Sequence, residues 1–278
     1  MQFVEFAHAH GLVIRDLERD RWARCSTVDH PKKKNGAYFY GVDFGFVQDW
    51  ANMSEVAVWQ DKQDRSPQED REFQARVKAA RLQAAKDREI KQAEAARKAN
   101  WIMAQTEVCP HPYMERKGFP DSFPVWRKDE MALLAIPMRV DGKIAGCQLI
   151  NEAGEKKFLF GQRTNDAYFQ LGRGDRKFIC EGFATAYSLQ AALGAIKVQS
   201  SIFVCFSANN ATRIALANPS AFFIADNDAS GTGEKAAKES GCKYWMPDVV
   251  GEDFNDYHLR RGLFAASQEL KKILYKCA

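Results

Sequence analysis

No two cysteines of this chain form a C-x-x-C pair, and no stretch of about 18 apolar residues occurs in it. The first lack removes the usual ligand spacing of a structural zinc site. The second removes any expectation of a membrane-spanning helix. The opening MQFVEFAHAHGLVIRDLERD lacks the basic-then-apolar layout of a secretory signal. The phosphate-cradling pattern G-x-x-x-x-G-K-[ST] is missing as well. Charge of a single sign is scarce too. Forty Lys and Arg against 36 Asp and Glu leave a net charge of +4, which permits a nucleic-acid partner without requiring one.

The 278 residues suffice for two compact domains or one domain with appendages. Hydrophobic content of 46% argues for a folded chain. The seven cysteines, Cys25, Cys109, Cys147, Cys180, Cys205, Cys242 and Cys277, are odd in number and scattered, several within apolar runs. Buried reduced thiols and a cytoplasmic location are expected from that pattern. The pairs Cys109/His111 and His8/His10 each offer two metal ligands, but no second pair stands at zinc spacing, so no zinc is expected.

Four segments follow one another. Residues 1–62 read as a β-rich module. In HPKKKNGAYFYG, an Asn-Gly step beside strand-like residues predicts a hairpin tip presenting Lys32, Lys33 and Lys34. Residues 63–108 are rich in Ala, Lys, Arg, Glu and Gln, and Ser66-Pro67 followed by Glu69 resembles a helix start. The mixture of charges favours an exposed spacer helix over a basic arm. Residues 109–174 predict a short helix at CPHPYMERKGF. A small sheet with basic edges follows, broken at Asp141-Gly142 and Ala153-Gly154. Residues 175–278 alternate strands (KFIC, SIFVCF, AFFIAD, CKYWMP) with helices (ATAYSLQAAL, NNATRIAL, TGEKAAKESG, ASQELKKILYK), which predicts an α/β fold with a mostly parallel sheet.

Ligands of open parallel sheets bind beyond the carboxyl ends of the strands. Acids fall at three such places: Glu181 after KFIC, Asp226 and Asp228 after AFFIA, and Asp253 and Asp256 a short loop after CKYWMP. Each alone is also what a helix cap or turn would show. Together they predict mutual repulsion that a hard cation, Mg2+ or Mn2+, would relieve. Gly231 and Gly233 beside them allow close backbone approach of a phosphate.

CEGFATAYSLQAA, IADNDASGTGEKAA and GEDFNDYH closely resemble, in order, the three acidic motifs of the Toprim domain in primases carried by plasmids and phages. HPYMERKGF is similar to the segment that opens a primase catalytic core. LLAIPMRVDGKIAGCQLINEAGEKKFLFG resembles that core's basic amino-terminal subdomain. The likeness covers about residues 109 to 260. It implies a Rossmann-like Toprim domain (175–278) preceded by a basic α+β subdomain (109–174). Outside it lie the helical linker (63–108) and the β-rich module (1–62), read either as a zinc-free template-binding replacement or as a solvated turn above an ordinary aromatic core. Glu181, Asp226 and Asp228 would be catalytic and metal-binding, with Asp253 and Asp256 completing the metal site. Arg116, Lys117, Lys157 and Arg163 would contact template or nucleotide phosphates, and Lys32, Lys33 and Lys34, beside Tyr38, Phe39 and Tyr40, single-stranded DNA.

The implied activity is DNA-dependent synthesis of short RNA primers from ribonucleoside triphosphates. A single-stranded DNA template and a replicative helicase are the candidate partners, with no membrane. Two other readings stay open: a Toprim nuclease acting on DNA or RNA, and a non-catalytic protein that binds single-stranded DNA or a helicase. The chain departs from the resemblance at Thr185, where many chromosomal primases carry a second acid, and at Ser207, where related proteins tend to carry Asp. It also shows no four-ligand zinc module and no helicase domain.

Overall fold

A computed structural model describes residues 2–50, 52–53, 56–61 and 66–275. The chain divides into two compact units, Met1–Ala85 and Lys86–Ala278.

The first unit is built on a five-stranded antiparallel sheet in sequential order: β1 (Leu12–Val13), β2 (Trp22–Thr27), β3 (Gly36–Tyr40), β4 (Phe44–Asp49) and β5 (Ala57–Gln60). Strand alternation gives this sheet two apolar faces. On one, Ala23, Cys25, Tyr38, Val47 and Trp59 pack with Phe3 and Ala7 of helix α1 (Phe3–Ala9), an element that the sequence pattern does not suggest. On the other, Phe44 and Phe46 meet Phe73 and Val77 from the start of α2 (Pro67–Ala104). The expected Asn-Gly hairpin tip is absent. The β2–β3 connection is the loop 28–35, and Gly36 lies inside β3. Gly36 is buried with ordinary φ. A Cβ there would stand 2.8 Å from Cys25 Sγ, so packing rather than turn geometry excludes a side chain.

The helix start at Ser66 is present as a capping box. Glu69 N donates to Ser66 Oγ at 3.4 Å, and Ser66 N donates to Glu69 Oε2 at 2.8 Å. Most of α2 is exposed, but it is not a bare spacer. Phe73 and Val77 enter the core of the first unit, whereas Ala99 and Ile102 enter that of the second.

The second unit carries two sheets. The antiparallel one has the order β10-β9-β8-β7-β6: β6 (Glu107–Pro110), β7 (Ser122–Lys128), β8 (Met131–Val140), β9 (Lys143–Ile150) and β10 (Lys156–Phe158), with helix α3 (Pro112–Arg116) between β6 and β7. The turn at Asp141-Gly142 has both residues at positive φ, 49° and 76°, as a two-residue hairpin requires. Strand β6 crosses the boundary expected at 108/109.

The other sheet has the order β11-β13-β12-β14-β15: β11 (Phe169–Leu171), β12 (Arg176–Cys180), β13 (Ser200–Val204), β14 (Phe222–Ile224) and β15 (Lys243–Trp245). The last four strands are mutually parallel, and β11 adds an antiparallel edge. Ile179, Phe203, Phe223 and Ala225 of one face pack on α5 (Ala208–Leu216) and α6 (Thr232–Ser240). On the other, Phe178, Cys180, Ile202 and Ile224 join α4 (Phe183–Ala195) and α7 (Phe254–Tyr275) in a core shared with Phe123, Leu134, Ile136 and Ile150 of the antiparallel sheet. That shared core fixes the two sheets of this unit against one another. The last helix begins earlier than the expected ASQELKKILYK, so GEDFNDYH opens α7, and Gly262 breaks the helix at φ 81°.

Candidate metal and phosphate site

Three acidic segments meet beyond the carboxyl ends of the parallel strands. Glu181 leaves β12 and Asp226 follows β14 after one residue, while the third segment begins α7. Asn227 ties the second segment to the third. Its backbone N donates to Glu252 O at 2.9 Å and its side-chain amide to Pro247 O at 3.0 Å. Gly233 lets α6 lie directly on this strand end, because a Cβ there would collide with the backbone of Asp226.

Asp226 carries the electrostatic stress of the site. Burial and then the nearby Glu181 and Asp253 push its carboxyl up to about 7, with Lys156 acting in the opposite sense. Its Oδ1 is buried without a hydrogen-bond partner, and an unmet buried acceptor is unfavourable. Glu181 is also raised, by burial first, against the opposing pull of Lys156. The backbone N–H of Ala208, at the start of α5, also acts to lower it.

The other acids are more fully engaged. Asp228 closes the first turn of α6, accepting from Thr232 N at 3.2 Å and Gly233 N at 2.8 Å and from Ser230, and these bonds hold its carboxyl below the usual range despite the opposing effect of burial. Asp253 and Asp256 form a reciprocal cap on α7: Asp256 N donates to Asp253 Oδ1 at 3.0 Å and Asp253 N to Asp256 Oδ2 at 3.3 Å. Asp256 Oδ1 also pairs with Lys117 Nζ at 2.9 Å. Ser207 caps α5 through Asn210 N at 3.3 Å.

Among the described residues, no three His, Cys, Asp or Glu side chains already stand close enough together to hold a metal ion. Magnesium does not demand such a cage, since it commonly takes one or two carboxylates and keeps several waters. Glu181 and Asp226 fit that need: both are oxygen donors, each lies near a second carboxylate that opposes its ionisation, and Asp226 Oδ1 lacks a partner.

A cleft of about 440 Å³ opens at the third acidic segment, lined by Tyr113, Arg116, Lys117, Lys156, Asp253 and Asp256 among others; Glu181, Asp226 and Asp228 do not line it. It gathers Arg116 and Lys117 but not Lys157 or Arg163. On a strand, neighbours point to opposite faces, so Lys156 of β10 lines the cleft in place of Lys157, with Lys157 opposite Leu149 in the ladder. Arg163 is turned to Asp166 at 3.2 Å. The sequence places Lys156 on the basic edge of the sheet but assigns the phosphate contact to Lys157, because a Lys-Lys pair does not reveal its facing. Sequence reasoning missed Asn255, whose buried amide donates to Lys117 O and to Ser188 Oγ, both at 2.9 Å. That amide fixes the turn carrying Lys117 against α7 and α4.

In the first unit, Lys32, Lys33 and Lys34 are exposed on the loop 28–35, at a pocket of about 340 Å³ also lined by Arg15 and Arg24. The aromatics expected to stack bases here are engaged within the first unit. Tyr38 is only 2% exposed and its hydroxyl donates to Asp16 O at 2.8 Å. Tyr40 stacks on Phe3, and Phe39 is packed among Trp22, Phe44 and Phe46. Of the two pairs considered for metal, His111 is fully buried and caps α3, accepting from Tyr113 N at 3.3 Å, and His10 bonds Phe6 O at 2.8 Å.

No family model matches the chain, and no curated protein matches it. Solved structures do. A chain in a structure of the bacteriophage T7 lagging-strand DNA polymerase interacting with primase domains of two gp4 subunits, bound to an RNA/DNA hybrid and dTTP, is 15% identical. The TM-score is 0.43, over 61% of this chain and 91% of that one. A DNA primase domain from Pseudomonas aeruginosa is 15% identical with a TM-score of 0.36, over 53% of this chain and 52% of that one. Among the described residues no helix is long and apolar enough to cross a membrane.

Proposed function

We propose that this chain is a metal-dependent nucleotidyltransferase of the plasmid and phage primase kind. Residues 175–278 would form its Toprim domain and 109–174 its basic subdomain, with RNA primers made from ribonucleoside triphosphates on single-stranded DNA. The observation that carries the reading is Asp226: a carboxylate near Glu181 at the ends of parallel strands, with a buried oxygen that has no hydrogen-bond partner among the described residues. The sequence motifs around Glu181, Asp226 and Asp256 and the primase-like segment ending at Lys117 supply the rest.

Glu181 and Asp226 would hold Mg2+ or Mn2+, with Asp253 and Asp256 near. When bound, the ion supplies positive charge against the phosphoryl oxygens and lowers the pKa of an attacking hydroxyl. Arg116, Lys117 and Lys156 would orient the triphosphate in the cleft. Asp228 would act through the backbone, holding α6 on the strand end. A replicative helicase is the candidate partner.

The test is primer synthesis from labelled ribonucleotides on varied single-stranded templates with Mg2+ or Mn2+. Product that disappears in Asp226→Ala supports the reading, and folded protein that gives no product on any template sinks it. Metal-dependent loss of the template instead would identify a nuclease. A non-catalytic role draws on two observations: Asp228 is engaged in a helix cap, and no ready three-ligand set exists among the described residues. Chelator-insensitive binding without turnover would favour it.

A further inference from the structure

The carboxyl end of α3 and the turn after it carry two of the three cations that line the cleft, Arg116 and Lys117. This segment is fastened on both sides. Arg116 Nη2 donates to Glu152 O, which ties it to the connection between β9 and β10. On the other side lies the start of α7, more than a hundred residues further along the chain. There Lys117 Nζ pairs with Asp256 Oδ1 at 2.9 Å, and Lys117 O accepts from Asn255 Nδ2 at 2.9 Å. Gly118, at φ 87°, lies so close to α7 that a Cβ would stand 3.0 Å from Leu259 Cδ2.

Two adjacent residues of α7 thus hold both ends of one lysine. Asp256 holds the ammonium and Asn255 the main chain. Asn255 is fully buried, and its amide nitrogen also donates to Ser188 Oγ of α4 at 2.9 Å. Its Oδ1 has no partner among the described residues. A buried acceptor left unmet costs stability, and an apolar side chain would fill the space without that cost. What only the amide supplies is a fixed place for the Lys117 carbonyl. Lysine is a point charge on a flexible stem, so where its charge acts depends on where its backbone is held.

The two anchors differ in permanence. The Lys117–Asp256 pair is partly exposed, with side chains 25% and 38% accessible, and such pairs are weak. A triphosphate can draw the ammonium away from Asp256. The buried bond from Asn255 stays, so the backbone keeps its place when the ion pair opens. Asp253 and Asp256 cap each other in the same turn of α7. One helix start therefore presents acids to the cleft and locates a cation beside them.

We propose that Asn255 is a positioning residue for nucleotide binding and acts through Lys117, holding its backbone so that the ammonium meets the triphosphate at a set distance from the acidic segment. A cation placed in advance loses less freedom on binding than one on a loose turn. The inference rests on the transferase reading, which assigns Lys117 to the triphosphate.

The test follows ribose-labelled mant-ATP and mant-GTP by fluorescence anisotropy, on the full chain with Mn2+ and no template. Asn255→Ala should weaken binding about tenfold, and Lys117→Ala about tenfold or more. The double variant should match Lys117→Ala to within about twofold, because a residue that acts only through Lys117 then has nothing to act on. Ser188→Ala removes the other acceptor of the amide, and it should lower Tm yet keep nucleotide affinity within about twofold. Mn2+ alone, followed by the paramagnetic resonance of the free ion, should bind Asn255→Ala within about threefold of the native chain. Gly118→Ala pushes the same turn off Leu259 and should repeat the loss of about tenfold, and it carries the test if Asn255→Ala does not fold. Three results would each overturn the positioning role and leave the transferase reading standing: losses that add in the double variant, native nucleotide affinity in a folded Asn255→Ala or Gly118→Ala chain, or a loss of Mn2+ affinity equal to the loss of nucleotide. No binding of either nucleotide by the native chain would overturn both.

Discussion

In the second unit, acids converge where parallel strands end. In the first, cations gather along an antiparallel sheet and the loop beside it. Both arrangements concentrate charge of one sign, yet the physical consequences differ. Glu181 and Asp226 are half-buried, and burial together with neighbouring carboxylates drives both toward the neutral form. The loop lysines stand in solvent, where screening makes their crowding cheap. A buried cluster of like charges stores energy that a counter-ion releases, whereas an exposed one merely offers contacts. The first suits a metal-centred reaction, the second a reversible grip on a polyanion.

The sharpest break in this contrast is Asp226→Asn. On the proposed reading, in which Asp226 is a metal ligand, nucleotide transfer is expected to fall by about a hundredfold or more. Primer yield under matched protein concentrations checks this, with circular dichroism confirming the fold.

Next in size is Gly233→Ala, which removes no charge. Its Cβ would press on the Asp226 backbone and should cost about 1–3 kcal/mol while displacing α6. Thermal unfolding and primer yield should fall together. If activity survives at native levels, the close seating of α6 on the strand end is irrelevant to the site.

Asp226→Asn should also stabilise the metal-free chain, by about 1–2 kcal/mol at pH 8 in EDTA. The sign follows from linkage. A carboxyl raised from 3.8 to about 7 binds more protons folded than unfolded across that window, so its contribution to stability declines as pH climbs from about 4 to about 7. The native chain should therefore show a larger drop in Tm over that range than Asp226→Asn does. Added Mg2+ should raise the Tm of the native chain and leave the variant unmoved. The exposed lysines of the first unit predict no comparable effect.

The smallest effect is Ser66→Ala, which removes half of the capping box on α2 and should cost about 1 kcal/mol. Urea unfolding followed by helix content would measure it.

Much of the parallel sheet is visible in the sequence because strands buried on both faces must be continuous apolar runs, and KFIC, SIFVCF and AFFIAD are such runs. Helix α1 was hidden, since FVEFAHA is too short for its periodicity to stand out, and β11 is only three residues long. The acids were legible as a set. Which of them caps and which lacks a partner was not, because Asp228 and Asp226 differ only in whether helix-end N–H groups reach them. Lys156 and Lys157 are adjacent and alike, and only the pairing of β10 with β9 turns one of them into the cleft.

By itself the sequence determined the strand–helix alternation of the parallel sheet, the helix start at Ser66, the Asp141-Gly142 turn and the placing of acids just after strands. These are local properties, set by spacing, propensity and the conformations a few neighbouring residues allow. Only the tertiary structure decided that Tyr38 is core while Trp22 and Trp50 face water, that Lys156 rather than Lys157 meets the acids, and that Asp226 Oδ1 lacks a partner. Burial and facing depend on which distant segments pack together, and one residue's shift along a strand reverses them.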